Sequence, residues 1–532
     1  MKSLKKILAL LLALVMVLGL VACGPAGTTE SNPPSGTSNP PATSNTPVDP
    51  AQKYEEWVKY TYSSNLDTAD PYGSTSAQCQ FFTNMTFDTL TYVDADTSEV
   101  MPELAHSWKD VNGDGLVWDV YLEKGVTFHN GDKFTAEDVK FTWEYAGAGQ
   151  NNVVKPLAAY TYCDSIEVVD ELTVRFNLVN AMPDFPSYLE TKIYSKNAFE
   201  TMDPLEAGVI GTGPYYYDEK NTDANQYVAS RYDNYWKGIE NYPTLHIACV
   251  VLSDKNTAVA SLQAGEIDYF PNFDASFYNT LSATDGLNIV TRSGAQSYYM
   301  GFNYGNDMWN DVELRRAICQ AINKEDVVNV AYEGGVGGNA SYNFCVPTGM
   351  GYTEVESLTY DLDAAKAYLE GKNLEITLIH YAGVCVKIAE VIQANLKAAG
   401  VTVNLRQVDG TNWTSVKASQ DGYDLFLDYC AYQGALLYNF NRFFYRGGSS
   451  NVFGYASDAY EAAQDKVQSY GTFEEMLTEF GNLQQFVADE VPIFPIVYNN
   501  FLAAAQEDVE GIVLAPSMNY CDFSTLRIPA RD

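Results

Sequence analysis

The residues of this 532-residue chain that could take part in chemistry are concentrated in one stretch towards its C-terminal end. Residues 428–440 combine a carboxylate with aromatic and amide side chains: Asp428, Tyr429, Tyr432, Gln433, Tyr438 and Asn439. Aromatic rings stack on sugars or on apolar side chains, and amides form hydrogen bonds with hydroxyl or peptide groups. This combination indicates non-covalent binding and suits an oligosaccharide as well as a peptide. An exposed strand position is the alternative interpretation of Asp428.

Side chains that build catalytic or metal sites are scarce in the rest of the chain. The four histidines, at positions 106, 129, 246 and 380, are far apart, and no HExxH motif occurs. No nucleophile elbow, phosphate-binding loop or dinucleotide-binding glycine pattern is present, and no two cysteines have the CxxC spacing. We therefore expect no enzymatic activity, no metal site and no cofactor.

One short motif resembles a calcium site. Residues 110–115 read DVNGDG, which matches the first half of an EF-hand loop. The twelfth position of that loop, where a glutamate is needed, is Tyr121, and the sequence after residue 116 alternates like a strand. The motif therefore predicts the turn of a β-hairpin.

Composition and charge exclude several classes of protein. The chain has 32 Lys and Arg against 68 Asp and Glu, a formal net charge of −36. Binding to nucleic acid, or to anionic lipid through a basic patch, requires the opposite charge. With 46% hydrophobic and 19% charged residues the chain is not globally disordered, and its length allows two or three domains.

The N-terminus is typical of an exported protein. Lysines precede an apolar run at residues 7–22, which as a helix would be only about 24 Å long and too short to span a bilayer. We interpret residues 1–23 as a signal peptide that ends in a lipobox-like LVAC, so that Cys23 would carry lipid. An ordinary signal with an incidental cysteine is the alternative. Residues 24–53, rich in Pro, Ser, Thr and Gly, predict a disordered linker.

The other eight cysteines permit up to four disulfides. Cys249, Cys319 and Cys385 nevertheless lie in strongly apolar runs, where a thiol behaves as a small hydrophobic side chain. We expect most of the eight to be buried thiols.

From residue 54 the chain alternates strand and helix patterns. The clearest unit is residues 374–428, which read strand, helix, strand, helix, strand, with Gly400 placed to end the first helix. This spacing predicts a parallel pair of strands joined by a right-handed crossover. Further strands are predicted at 117–122, 165–169, 173–178, 245–252 and 287–292, and helices at 136–145, 257–264, 312–321, 362–370 and 473–489.

Several motifs, in this order, resemble those of one family. The longest spans residues 104–139, and shorter ones read GTGPY at 211–215, RYDNYW at 231–236, LQAGEID at 262–268, RRA at 315–317, AINK at 321–324 and VPIFPIVY at 491–498. Together they resemble the family 5 (cluster C) solute-binding lipoproteins of ABC importers over residues 54–530. Most of these motifs have structural roles, so they indicate the scaffold and not the ligand.

The resemblance implies an α/β fold: a two-lobed, periplasmic-binding-protein-like clamp of type II, with an extra domain. Its ligand would lie between the lobes, and the closed clamp would be recognised by a permease. The implied parts are a discontinuous domain of lobe 1 (54–79, 206–290 and 499–532), an extra domain on lobe 1 (80–205) and lobe 2 (291–498).

The resemblance also implies site residues. In peptide-binding members, the strand after the crossover unit carries a pocket Trp and an Asp that pairs with the peptide ammonium. Here Cys430 and Gln433 occupy those positions, and a neutral amide cannot balance a buried ammonium. Tyr498 resembles a pocket tyrosine, with a core role as the alternative, and Thr75 lies in the stretch that would supply backbone contacts.

The implied function is capture of peptides by a monomer that is lipid-anchored at the outer face of the bacterial membrane. Its partners would be the permease and ATPase subunits of an importer, and no nucleic acid. An oligosaccharide ligand is the alternative within the family, and nickel or haem capture is less consistent with four histidines. A sensor lipoprotein is the alternative outside transport.

Overall fold

A computed structural model describes most of the chain from residue 47 onwards. The predicted signal peptide, its Cys23 and most of the predicted linker lie outside the described residues. All described residues belong to one compact unit, and none of their helices is long and apolar enough to cross a membrane. The described residues are 47–94, 97, 99–149, 153, 157–431, 436–469, 472–515 and 521–531.

The strands are short, apart from two. They are β1 (Trp57–Tyr62), β2 (Thr91–Val93), β3 (Val100–Pro102), β4 (Ala105–Asp110), β5 (Val117–Leu122), β6 (Cys163–Asp170), β7 (Thr173–Leu178), β8 (Tyr215–Tyr217), β9 (Gln226–Arg231), β10 (His246–Val251), β11 (Tyr269–Phe270), β12 (Leu287–Phe302), β13 (Gly338–Ala340), β14 (Glu375–His380), β15 (Thr402–Gln407), β16 (Leu425–Ala431) and β17 (Ile493–Gln506).

The helices lie between these strands. They are α1 (Ala77–Thr86), α2 (Ala136–Gly147), α3 (Lys196–Thr201), α4 (Pro204–Ala207), α5 (Lys255–Gln263), α6 (Tyr278–Ser282), α7 (Val312–Gln320), α8 (Lys324–Ala331), α9 (Leu362–Leu369), α10 (Val384–Ala398), α11 (Trp413–Ser419), α12 (Tyr438–Phe444), α13 (Asp458–Gln468) and α14 (Phe473–Glu490).

One large mixed sheet contains most of the strands. Its order is β15-β14-β16-β12-β17-β11-β1-β10-β9-β8, and β13 pairs with β17 beside this path. The long strands β12 and β17 are antiparallel neighbours at its centre. The C-terminal half of β12 pairs with β16, and the C-terminal end of β17 pairs with β11. These two strands therefore join the two halves of the sheet.

A separate four-stranded antiparallel sheet has the order β4-β5-β7-β6 and packs against α2 through Trp143, Phe176 and Phe185. The turn between β4 and β5 is the predicted hairpin turn. The carboxylate of Asp110 accepts hydrogen bonds from the amides of Gly113 at 2.9 Å and Gly115 at 2.6 Å. This side chain therefore stabilises the turn itself, and the hairpin interpretation of the calcium-like motif is confirmed.

The predicted unit at 374–428 is also confirmed. Strand β14 pairs in parallel with β15, starting from Glu375 opposite Thr402, and in parallel with β16 on its other edge. Helix α10 crosses between β14 and β15 and buries Ile388 and Ile392 against them. Gly400 follows the helix at φ +86°, a conformation that glycine adopts without strain.

The eight cysteines after Cys23 are thiols, as predicted for most of them. Seven are buried, and Cys163 is partly exposed. Burial raises the pKa of the Cys163 and Cys249 thiols to about 12 and that of Cys430 to about 11. Because the thiolate is the reactive form, these groups should be inert near neutral pH.

We expect the eight thiols to react with Ellman's reagent at pH 8 at least tenfold more slowly in the folded protein than in guanidinium. The folded core shields them, and burial raises the pKa of six of them, which leaves little thiolate. Intact mass measured without reductant should show no loss of hydrogen. A mass lower by about 2 Da per pair, or rapid labelling of several sites in the folded protein, would contradict this.

Candidate functional site

The pairing of the two central strands of the large sheet is irregular at two points, after Ser293 and between Tyr298 and Tyr299. Ser293 of β12 pairs with Asn500 of β17, but the next pair is Ser297 with Tyr498, so β12 has extra residues between them. Such a bulge bends a strand and increases its twist. It lies where the sheet passes from one half to the other, and the candidate site residues nearest to it are on β16 and β17.

Tyr498 is buried beside this bulge, with 5% of its surface exposed. Its hydroxyl donates to the carbonyl of Asn343 at 2.7 Å and accepts from the amide of the same residue at 3.2 Å. It therefore fixes the segment around Asn343 against β17. A direct contact of Tyr498 with ligand stays a prediction.

Asp428 lies on β16, opposite Tyr299 of β12, and only 6% of it is exposed. Its carboxylate accepts a hydrogen bond from the indole of Trp413 at 3.0 Å and forms an ion pair with Lys417. The alternative interpretation of Asp428 as an exposed strand residue is therefore wrong. Any ligand ammonium that approached Asp428 would compete with a lysine that is already in place.

Tyr429 faces the other side of β16 and is 44% exposed. Its ring centre lies 5.7 Å from that of Tyr298 and 5.9 Å from that of Tyr381. Tyr381 in turn packs on the Trp413 indole at 4.0 Å. We call Tyr298, Tyr381 and Tyr429 the tyrosine patch; it offers partly exposed ring faces beside the buried ion pair of Asp428.

Asn439 and Cys430 are buried at the C-terminal end of β16. They lie close to Arg442, a charged residue that we did not predict as part of the site. The guanidinium of Arg442 on α12 donates to the Cys430 sulfur at 3.0 Å, and that sulfur lies 3.9 Å from the Asn439 amide oxygen. The Arg442 guanidinium carbon lies 5.4 Å from the ring centre of Tyr438. Among the described residues no carboxylate pairs with Arg442, and its buried Nε has no hydrogen-bond partner.

Tyr438 also lies near two tyrosines that flank the strands of the four-stranded sheet, one directly before β6 and one after β7. It acts electrostatically on Tyr162 and Tyr188, whose ring centres are 5.3 Å apart and whose pKa values are raised, mainly by burial. Asp184 lies beside the same two rings. Burial raises the pKa of Asp184 to about 6, and its Oδ2 has no hydrogen-bond partner in the described part of the chain.

Thr75, another of the predicted site residues, is not brought into this group. Thr75 is exposed just before α1, and its neighbour Ser76 donates a hydrogen bond to Asp67 at 2.8 Å. Tyr432 and Gln433 lie outside the described residues. Within the described residues no group of three or more His, Cys, Asp or Glu side chains is arranged to hold a metal ion.

Sequence reasoning found the strand that carries the site but missed Tyr298, Tyr381 and Arg442. The two tyrosines come from β12 and from the loop after β14, and only the sheet order makes them neighbours of Tyr429. Arg442 had a local signal, because it is a single charge in the aromatic sequence YNFNRFF. The described groups offer ring faces and one cation without a carboxylate partner, which suits binding of a polar organic molecule.

We expect Asp428→Asn to destabilise the protein by about 3 to 5 kcal/mol, because it leaves the Lys417 ammonium buried without its partner. The double variant Asp428→Leu with Lys417→Met should recover most of this loss. Urea unfolding followed by far-UV circular dichroism measures both. As a control, Glu333→Gln removes the partner of exposed Lys387 and should cost under about 1 kcal/mol. A loss of stability for Asp428→Asn as small as that of the control would show that the buried ion pair does not stabilise the fold.

We expect Asp184→Asn to stabilise the protein at pH 8 and to have little effect below pH 3.8. A raised pKa means that the folded state binds the proton of Asp184 more tightly than the unfolded state does. The stabilisation that this proton gives is therefore complete at low pH and is lost as pH rises through about 6. The difference between about 6 and the ordinary 3.8 corresponds to about 3 kcal/mol at pH 8. Unfolding free energies at several pH values test this, with exposed Asp164→Asn as control; a pH-independent effect would contradict it.

Comparison with known proteins gives a consistent result. The model of a family described as bacterial extracellular solute-binding proteins, family 5 Middle, matches residues 99–451. The oligopeptide-binding protein AppA of Bacillus subtilis is 27% identical over 482 residues, covering 81% of this chain and 84% of AppA. The dipeptide-binding protein of Escherichia coli is 25% identical over 476 residues, covering 79% and 85%.

Solved structures share the fold. The ABC transporter substrate-binding protein CtaP from Listeria monocytogenes superposes with a TM-score of 0.81 at 22% identity, over 90% of this chain and 100% of CtaP. Bacillus subtilis AppA in complex with a nonapeptide gives a TM-score of 0.69 at 22% identity, over 90% and 100%. The expected architecture, an α/β two-lobed clamp of the periplasmic-binding-protein type, is confirmed.

Proposed function

The chain belongs to the bacterial extracellular solute-binding proteins of family 5, and on that basis we propose that it captures peptides between its lobes and delivers them to an ABC permease. Members of this family bind solutes outside the cytoplasm. The peptide ligand is supported by the relatives named as oligopeptide- and dipeptide-binding proteins. We also propose that the chain is not an enzyme, which its membership of a family of solute-binding proteins supports.

The observation that carries the peptide proposal is the Arg442 guanidinium, which lies beside Tyr438 and has no carboxylate partner among the described residues. A guanidinium without a carboxylate partner is suited to a peptide carboxylate, since the two form paired hydrogen bonds. The tyrosine rings offer apolar faces to peptide side chains and hydroxyls to peptide groups. A peptide with a free C-terminus would supply a carboxylate for Arg442.

The proposed lobes follow the large sheet. Lobe 1 comprises 54–79, 206–290 and 499–532, with 80–205 as an extra domain, and lobe 2 comprises 291–498. These boundaries cross β12 and β17 at residues 290/291 and 498/499, close to the bulge after Ser293. In this proposal the bulged part of the two strands is the hinge, and ligand shifts the population towards the closed clamp.

The proposed location is the outer face of the cell membrane, with Cys23 lipidated after removal of residues 1–23 and residues 24–53 as a tether. The proposed partners are the permease and ATPase subunits of an importer, and the binding protein acts as a monomer. The formal charge of −36 supports a body that stays away from anionic lipid.

An oligosaccharide is the second candidate ligand. The neutral Gln433 in place of an aspartate, together with the ring faces of the tyrosine patch, supports it, because sugars stack on rings and need no charged partner. The two candidates differ in their need for Arg442, since a neutral sugar has no carboxylate to pair with it.

Native mass spectrometry of the protein purified gently from its host should show adducts that fragment as peptides. The most abundant peptide, synthesised as free acid and as C-terminal amide, then tests the site by isothermal titration calorimetry. We expect Arg442→Gln to weaken binding of the free acid about 10- to 100-fold, and binding of the amide much less, because the lost interaction is with the carboxylate.

The matched control is Arg446→Gln, which alters an exposed arginine paired with Asp458 and Glu461 near the same helix end. It should leave both affinities unchanged. Hexose-spaced adducts would reject the peptide in favour of an oligosaccharide. Equal loss for acid and amide would remove Arg442 from carboxylate recognition.

A further inference from the structure

The hairpin of β2 and β3 belongs to neither of the two larger sheets. It is a two-stranded sheet of three residue pairs, in which Thr91 faces Pro102 at one end and Val93 faces Val100 at the other. A hairpin of this size is at best marginally stable by itself, so it depends on the contacts that it makes with its surroundings. Its two ends contact different parts of the molecule.

The base of the hairpin is bonded to lobe 1. Shortly before β2, the carboxylate of Asp88 accepts hydrogen bonds from the Tyr235 hydroxyl and the Trp236 indole, both at 2.8 Å. Directly after β3, Glu103 forms an ion pair with Lys237 at 2.7 Å. All three partners belong to the discontinuous domain of lobe 1, so these contacts fix the base of the hairpin to that lobe.

The direction of the hairpin is fixed by the segment that follows β7. The amide of Thr91 donates to the carbonyl of Leu189 at 3.2 Å, and its hydroxyl donates to the carbonyl of Pro186 at 3.0 Å. The amide of Val93 donates to the carboxylate of Glu190 at 3.3 Å. Strand β2 is therefore bonded along its length to the extra domain, and the hairpin moves with lobe 1.

The other end of the hairpin contacts lobe 2. Val93 and Val100, the last pair before the turn, are partly buried and pack against a hydrophobic cluster that includes Phe440 and Phe443 of α12. The buried members of this cluster lie between residues 299 and 498. Within the described part of the chain, these two valines are the only side chains of the cluster that come from outside lobe 2.

A second contact of the extra domain involves the same helix. Tyr438 of α12 acts electrostatically on Tyr162 and Tyr188, whose rings meet edge to face with their centres 5.3 Å apart. Helix α12 also carries Arg442, the residue proposed to bind the peptide carboxylate. The extra domain therefore connects the lobes in addition to the pairing of β12 with β17, and it does so at the helix that carries a proposed ligand-binding residue.

We propose that the β2–β3 hairpin is a latch, whose end pair of Val93 and Val100 docks on lobe 2 in the closed clamp and prolongs the closed state. The proposal rests on the proposed closure of the two lobes. Because the base of the hairpin stays with lobe 1, opening of the clamp separates the two valines from the cluster and exposes apolar surface to water, which is unfavourable. The valines are only partly buried, so their contribution is modest and the clamp can still open to release its solute.

The test measures the distance between the lobes in the ligand-free protein. Nitroxide labels on Asp164→Cys in β6 and Asp465→Cys in α13, both exposed positions, report this distance by double electron–electron resonance. We expect a closed and an open population. The double variant Val93→Thr with Val100→Thr should lower the ratio of closed to open molecules at least fivefold, because threonine keeps the shape of valine but brings a hydroxyl into the apolar contact.

The matched control is Val169→Thr with Val179→Thr, two exposed valines of the same extra domain, which should leave the ratio unchanged. Val100→Ile enlarges the apolar contact and should raise the ratio, which keeps the proposal testable if the threonine variant does not fold. An unchanged ratio in a folded threonine variant, an unchanged or lower ratio in Val100→Ile, or a single open population in the unmodified protein would overturn the latch.

Tryptic peptides of casein, added to the same labelled protein, test the proposed function separately. A shift of the unmodified protein towards the closed population supports capture of peptides. Without such a shift the peptide proposal fails, while the comparison of the hairpin variants remains valid because it is made without ligand.

Discussion

The antiparallel pairing of β12 with β17 holds the two halves of the large sheet together. Every other strand of that sheet reaches the opposite half only through these two, because β16 and β11 pair with different ends of them. The bulge after Ser293 is one of two irregular positions in this long pairing, and a bulged strand bends at such a position. The tyrosine patch adjoins this pair, because it includes Tyr298 of β12.

The buried charged side chains of the described residues fall into two groups, those with a partner that balances the charge and those without a carboxylate partner. Lys417 and Asp428 neutralise one another, and Arg315 is satisfied by main-chain carbonyls. Arg442 and Lys324, by contrast, have no carboxylate partner in the part of the chain that the structure describes. A buried cation is costly unless its charge is balanced, so Arg442 is suited to receive an anionic group from a ligand. The same reasoning separates residues that hold the scaffold from residues that are available for recognition.

Local sequence patterns predicted much of the fold. The parallel unit at 374–428 followed from apolar periodicity and Gly400, and the hairpin at 110–115 from its turn residues. The predicted strand at 287–292 was too short, because SGAQ at 293–296 interrupts the alternation and only pairing with β17 extends the strand to Phe302. The burial of Asp428 could not be predicted either. It depends on Lys417, which lies on a helix eleven residues earlier and meets the carboxylate only after α11 packs against β16.

The position of β17 in the chain has a consequence for the order of folding. This central strand begins at Ile493, so β12 lacks its main partner until nearly the whole chain has been synthesised. The N-terminal end of the folded body also cannot complete its contacts until then, because the amide of Glu55 donates a hydrogen bond to the carbonyl of Ile528 at 2.8 Å. Contacts so distant in sequence slow folding, since a long loop must close first. A chain that emerges N-terminus first therefore stays without a complete core, which suits passage across a membrane in an unfolded state.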